Sequence, residues 1–221
     1  MAEVTFESVR NDEEVHTYIV AAQDALEAIG YTEHGLRHVG LVAQRAMYLM
    51  EQLGKPARQR ELVGIAALLH DIGNVVNRHD HGQTSALVAH RILSRMGMPP
   101  AEVAIVMAAI GNHEEEIGNP VNDVAAALIL ADKSDVHRSR VYNQDFATFG
   151  IHDRVNYAVT HSDLIVLPEE RAIRLQLEVD TSIIALMEYF EIFLTRMVMC
   201  RRAARHLGCH FELVMNDTRL L

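Results

Sequence analysis

Two points in this chain place acids where apolar packing would not tolerate them alone. His70-Asp71 closes the run Val63 to Leu69, which holds only apolar residues and glycine, and Asp132 closes the apolar run Val124 to Ala131. An unpaired carboxylate buried at either point would cost several kcal/mol, roughly, so each demands a cation or several donors. Two buried helices that both end in an acid imply one shared cation. His38 stands four residues before Val42, in phase with the apolar stripe of its own segment. A lone histidine on such a stripe is usually a satisfied core residue, and a lone HD dipeptide is weak. The combination is stronger: His38, His70, Asp71 and Asp132 form a mixed nitrogen and oxygen set suited to Mn, Fe, Co, Ni or Zn rather than Ca.

The elements that must carry these residues read as helices. Asn11 or Asp12 caps a first helix ending near Ile29-Gly30. Leu36, Val39, Val42, Ala46, Leu49 and Leu53 mark a second, stopped at Gly54-Lys55-Pro56. Arg58 to Asp71 is a third, ended by Gly73, and Gly82 to Met96 a fourth, closed by Gly97. Pro100 opens a fifth towards Ile110. GNHEEEIGNP is a loop, and Val121 to about Val141 a sixth helix. The pattern then changes: DLIVLPEERAIRLQLEVD holds two strand-like runs around a turn, with Ile173, Leu175, Leu177 and Val179 alternating with polar residues. Thr181 caps a long helix to about Leu207, and CHFELVM reads as a further strand. The expected fold is mainly α. Residues 1–155 form a metal-binding helical bundle, and residues 156–221 a small α+β appendage of hairpin, long helix and strand.

Composition bounds the partners. A formal charge of −10 argues against general nucleic-acid binding, which needs a broad basic face. It leaves room for a small anionic substrate, because a metal and a few local basic residues can invert the field in one pocket. With no Trp, the core must be built from aliphatic residues and Met. The opening MAEVTFESVRNDEEV is too acidic for a signal peptide, and the apolar runs Val124 to Ala131 and Ile183 to Met187 are too short for a membrane span. Cys200 and Cys209 form no CxxC motif and read as free thiols of a cytoplasmic protein.

The order H…HD…D, with HDIG at Asp71 and ALILADKSD around Asp132, resembles the HD superfamily of metal-dependent phosphohydrolases over roughly residues 30 to 140. The stretches EHGLRHVGLVA, HDIGNVVNRHDHG and ALILADKSDVHRSRV are most similar to a bacterial group known only as HD-domain phosphohydrolases. The resemblance implies an HD-domain helical bundle holding one or two divalent metal ions. His38 fits the family pattern H-x-x-x-V-A, and His34, four residues earlier, is expected on the same helix face as a pocket residue. Many members are binuclear. His81 and His113 match the second-metal histidines, with Asp71 bridging, and His79 is the alternative to His81. His90, mid-helix beside Arg91, reads as structural.

The chain departs from the HD-GYP phosphodiesterases. It has Asn74 where they carry Lys, and HEEEIGNP where they carry GYP, which counts against cyclic di-GMP cleavage. Positive charge for a phosphate is expected from Arg78, Lys133, Arg138 or Arg140, the last two on the helix continuing past Asp132. Arg201, Arg202 and Arg205 are better explained by a helix dipole. The implied activity is hydrolysis of a nucleotide or other small phosphate ester through a metal-activated water, with Asp71 catalytic and His34, Asn74, Arg78, Lys133 and Arg138 near the substrate. Two alternatives stand beside it: a di-iron oxygenase gated by Tyr31 and Glu33, and a non-catalytic, metal-containing nucleotide sensor. A homodimer is compatible with all three.

Overall fold

The computed structural model describes residues 3–143 and 145–221. Its centre is a pair of helices with long apolar stretches, the composition that demands burial on every face of those stretches. In α4 (Ala57–Leu69) every residue from Leu62 onward is buried, and in α7 (Asp123–Lys133) every residue from Val124 onward is. These two pack on each other, on α3 (Leu36–Gln52) and on α6 (Pro100–Gly111). The α3 helix is amphipathic, burying His38, Val39, Val42, Ala43, Ala46, Leu49 and Met50. Next to α6 lies α5 (His81–Met96), ended by Gly97 in the left-handed conformation with φ 86°. The N-terminal α2 (Glu13–Ala28) starts where expected: the Asp12 carboxylate accepts from the backbone of Glu14 and Val15. Ahead of it is a single turn not foreseen from the sequence, α1 (Phe6–Arg10), held by a Thr5–Ser8 capping box.

One expected element is shorter. The α7 helix ends at Lys133 instead of running to about Val141. Ser134 turns its hydroxyl back to the Ala131 carbonyl at 2.6 Å, and Asp135 is drawn towards Arg37 and His38. Arg138 to Arg140 form a separate 3-10 turn, so Arg138 and Arg140 are not on the helix that carries Asp132.

The polar α8 (Ile151–Ala158), also unforeseen, leads into β1 (Val159–Leu167). The hairpin partner β2 (Ala172–Val179) pairs antiparallel, with Leu164 opposite Leu175 and Val166 opposite Ile173. The long α9 (Leu186–His206) then crosses over to β3 (His210–Met215), which runs parallel to β2, and a two-residue β4 (Thr218–Arg219) completes the order β1-β2-β3-β4. A crossover helix is what a parallel pair requires. The alternation read in β2 holds: Ile173, Leu175, Leu177 and Val179 face inward.

This C-terminal part shares its core with the bundle. The α9 helix packs along α7, and one buried apolar cluster runs from Val4 to Met215. Arg45 stitches the two parts, donating to the Ser134 carbonyl and hydroxyl and to the Ser162 carbonyl, while the Ser162 hydroxyl reaches Ser134 O at 2.6 Å. Cys200 and Cys209 are unpaired thiols. Among the described residues, no helix is long and apolar enough to cross a membrane.

Candidate metal centre

Each buried helix end delivers one part of the site. His38 is in the first turn of α3, whose free N–H groups at Gly35 and His38 are accepted by Glu33 Oε1 at 2.7 and 3.3 Å. His70 caps α4 and Asp71 follows it, leading into a 3-10 turn, Ile72–Val75. Asp80 takes the left-handed conformation, φ 53°, which lets α5 begin on His81. His113 follows α6, and Asp132 lies in the last turn of α7.

These six side chains come from five helix ends, and the other five gather around Asp71. On its Oδ2 side, His38 Nε2 lies at 3.6 Å and His70 Nε2 at 3.3 Å. Asp132 Oδ1 completes that group, 3.3 Å from His38 Nε2 and 3.6 Å from His70 Nε2. On its Oδ1 side, His81 Nε2 lies at 3.2 Å and His113 Nε2 at 3.8 Å. All six residues are at least nine-tenths buried.

The hydrogen bonds behind the rings decide what these atoms are. His38 Nδ1 faces Asp135 Oδ2 at 2.7 Å, His70 Nδ1 the Ala67 carbonyl at 2.8 Å, His81 Nδ1 the Arg78 carbonyl at 3.1 Å and His113 Nδ1 the Ile110 carbonyl at 2.6 Å. Each Nδ1 therefore carries a proton to donate, which leaves the Nε2 lone pairs converging. Yet His38 and His70 oppose Nε2 to Nε2 at 3.2 Å, as do His81 and His113. Lone pairs facing each other and carboxylate oxygens at such distances repel unless a cation sits among them. Donors held at about 2.1 Å from one ion stand about 3.0 to 3.4 Å apart, close to the separations found. The residues present fit a divalent metal. The groups His38, His70 and Asp71; His70, His113 and Asp132; and Asp71, His81 and His113 each bring one ligand atom per residue within 4.8 Å of one another.

Electrostatics agree. Burial opposes charge on His70, but Asp71 and Asp132 overcome it and raise its pKa to about 10, so this point demands positive charge. Burial by itself would raise both acids. His70, with the ring nitrogens of His113 and His81 facing it, instead holds Asp71 well below the usual carboxylate range, and Lys133, with His38 and His70, does the same for Asp132. Burial lowers the pKa of His113 and His34, with Arg140 adding to the effect on His34.

The remaining expected residues divide. His34 is not on the α3 face but in the loop before it, since Gly35 is the N-cap; its ring still meets that of His38 edge-on at 5.5 Å. Asn74 is buried behind Asp71, donating to its backbone carbonyl and Oδ1 at 2.8 and 3.2 Å. Arg78 lies at the rim, 3.9 Å from Asp71 Oδ1 and over the Tyr31 ring. Lys133 Nζ is 2.8 Å from Asp132 Oδ2. Arg138 is turned away over the Tyr157 ring, and Arg140 lines the cavity in its place. His79 is exposed and pairs with Asp80, and His90 is exposed. Glu33, considered as a gate, is committed to the start of α3 and to Arg37.

Sequence reasoning missed two features. Asp135, fully buried, orients His38 and accepts from Arg37 at 2.8 Å; its place three residues after Asp132 in ADKSD was the available signal. The second is the outer wall: Ile192, Phe193, Thr195 and Arg196 of α9 and His152 of α8 line the same cavity of about 540 Å³ as Asp71, His81, His113 and Asp132. No local pattern marks them. A larger groove of about 1520 Å³ lies among α1 to α4, and none of the six site residues lines it.

The helical bundle gathers these histidines and aspartates into a candidate divalent-metal site. Residues 35–137 match the HD domain family model. A solved structure described as a predicted HD superfamily hydrolase, from an uncultured Thermotogales bacterium, is similar at 25% identity, over 55% of this chain and 67% of that one, with a TM-score of 0.44. No curated protein matches the chain.

Proposed function

We propose that this protein is a metal-dependent phosphohydrolase or phosphodiesterase acting on a nucleotide or other small phosphate ester at a binuclear centre. The observation that carries the reading is Asp71, whose two oxygens face two separate donor groups, one with His38, His70 and Asp132, the other with His81 and His113. Divalent ions held there supply Lewis-acid polarisation of a phosphoryl oxygen and a water acidic enough to attack at neutral pH.

The chain's own residues do the rest. The four Nδ1 hydrogen bonds hold the imidazoles in one tautomer and orientation before any ion arrives. Lys133, Arg78, Arg140 and Arg196 line the cavity beside six carboxylates, Asp71, Asp80, Glu114, Glu115, Glu116 and Asp132, so divalent ions at the centre would supply the positive excess that suits an anionic ester. Its volume of about 540 Å³ is that of a small-ligand pocket.

The test is metal analysis of protein reconstituted with Mn, Co or Zn, followed by a screen of phosphate monoesters, dinucleotides and cyclic nucleotides. The expected result is two ions per chain and release of phosphate or a nucleoside monophosphate, both lost in Asp71→Ala. Turnover that survives in His70→Ala and Asp71→Ala would overturn the reading.

A further inference from the structure

The cavity wall facing the metal centre comes from α9, outside the segment that matches the HD family. Arg196 on that helix stacks over the Phe193 ring, 4.1 Å from its centroid, which fixes the plane of the guanidinium. Its Nε lies 2.9 Å from Glu115 Oε1. The same carboxylate accepts from Thr195 Oγ1 at 3.1 Å and stands 3.6 Å from Lys133 Nζ. Lys133 is 7% exposed, and its ammonium also touches Asp132 at 2.8 Å. Glu115 thus sits as an anion ringed by an arginine, a lysine and a hydroxyl, within the cavity that contains Asp71 and Asp132.

That ring is the donor set a phosphate takes. Arginine offers a planar fork matched to carboxylate and phosphate alike, lysine a point charge and threonine a hydroxyl. We propose that Glu115 holds the place of the substrate's phosphate: a small phosphomonoester displaces the carboxylate, its phosphate is received by Arg196, Lys133 and Thr195, and its organic part lies against Ile192 and His152. Arg196 is then a specificity-determining residue supplied by the C-terminal part of the chain. The inference rests on the phosphohydrolase reading and adds where the substrate is gripped.

A bridge that only clamps α9 to the loop after α6 would look the same at rest, but the two readings differ in sign. Inorganic phosphate is titrated calorimetrically into Mn-loaded wild type, Arg196→Met and Glu115→Gln, with metal content and thermal unfolding followed alongside. Arg196→Met is expected to weaken phosphate binding about ten- to hundred-fold, the worth of one charged hydrogen-bonding partner. Glu115→Gln removes the competing anion and is expected to tighten it, although both variants lose the same ion pair. Metal content stays unchanged in both. If the bridge is only a clamp, both variants lower the unfolding temperature and leave the phosphate Kd where it was. That result, or weaker binding in Glu115→Gln, overturns the inference alone. Wild-type protein that takes up metal but no phosphate also overturns the inference, while turnover in the ester screen decides the phosphohydrolase reading separately.

Discussion

Replacing Asp135 tests whether the His38 orientation is built in or incidental. The carboxylate is fully buried, meets His38 Nδ1 at 2.7 Å and is also paired with Arg37 Nη2 at 2.8 Å. In Asp135→Ala, the Nδ1 proton loses its acceptor and the ring is free to rotate or change tautomer. Loss of such an orienting partner costs about 10- to 100-fold in metal affinity, or about 1.4 to 2.8 kcal/mol. Stability falls separately. Removing one partner of a buried ion pair costs about 3 to 5 kcal/mol. The lower end applies, because Arg140 keeps its bonds to the Glu33 and Asp135 carbonyls and Arg37 keeps Glu33. About 3 kcal/mol in a chain of this size lowers Tm by roughly 6 to 12 °C. Chelator competition with Zn gives the affinity, and thermal unfolding with and without metal gives the stability. Asp135→Asn keeps an acceptor for the Nδ1 proton and should recover most of the affinity while remaining less stable than wild type. If Asp135→Ala binds Zn within about threefold of wild type, the orienting argument fails.

Two further outcomes follow from the same geometry. A Cβ at Gly73 would press on the Ser85 backbone nitrogen and come within 2.5 Å of the His81 carbonyl, so Gly73→Ala must push the start of α5 away; a stability loss of about 1 to 3 kcal/mol with weaker metal binding is expected, and an unperturbed variant by denaturant titration and metal analysis would refute the close approach. Burial pushes the Cys200 thiol up to about 12, so at pH 8 almost none is thiolate. A thiol-reactive dye should therefore label only half-buried Cys209 in the folded protein, slowly, and reach Cys200 on unfolding; rapid labelling of both would contradict that burial.

The site was legible as far as its logic was local. Apolar runs ending in His70-Asp71 and Asp132 announce buried charge wherever the helices go; His81 and His113 were expected only from the family resemblance, and the structure brings all six together. The α2 cap at Asp12, the Gly97 stop and the β2 alternation are equally local, because they depend on hydrogen bonds and side-chain directions within a few residues. The five-residue α1 was too short to show a period, and the polar α8 carried little apolar signal.

Where α7 stops could not be read along the chain. Nothing in DKSDVHRSR forbids more helix; the turn at Ser134 is set by Asp135 finding Arg37 and His38, which are remote in sequence. That turn also decides that Arg140 faces the cavity and Arg138 does not. The α9 wall is likewise tertiary, since its residues meet Glu115 and Lys133 only after α9 packs on α7. The sequence by itself determined that acids and histidines would be buried together and need a cation. Long-range packing alone decided which side chains stand behind them and which cations face the space above.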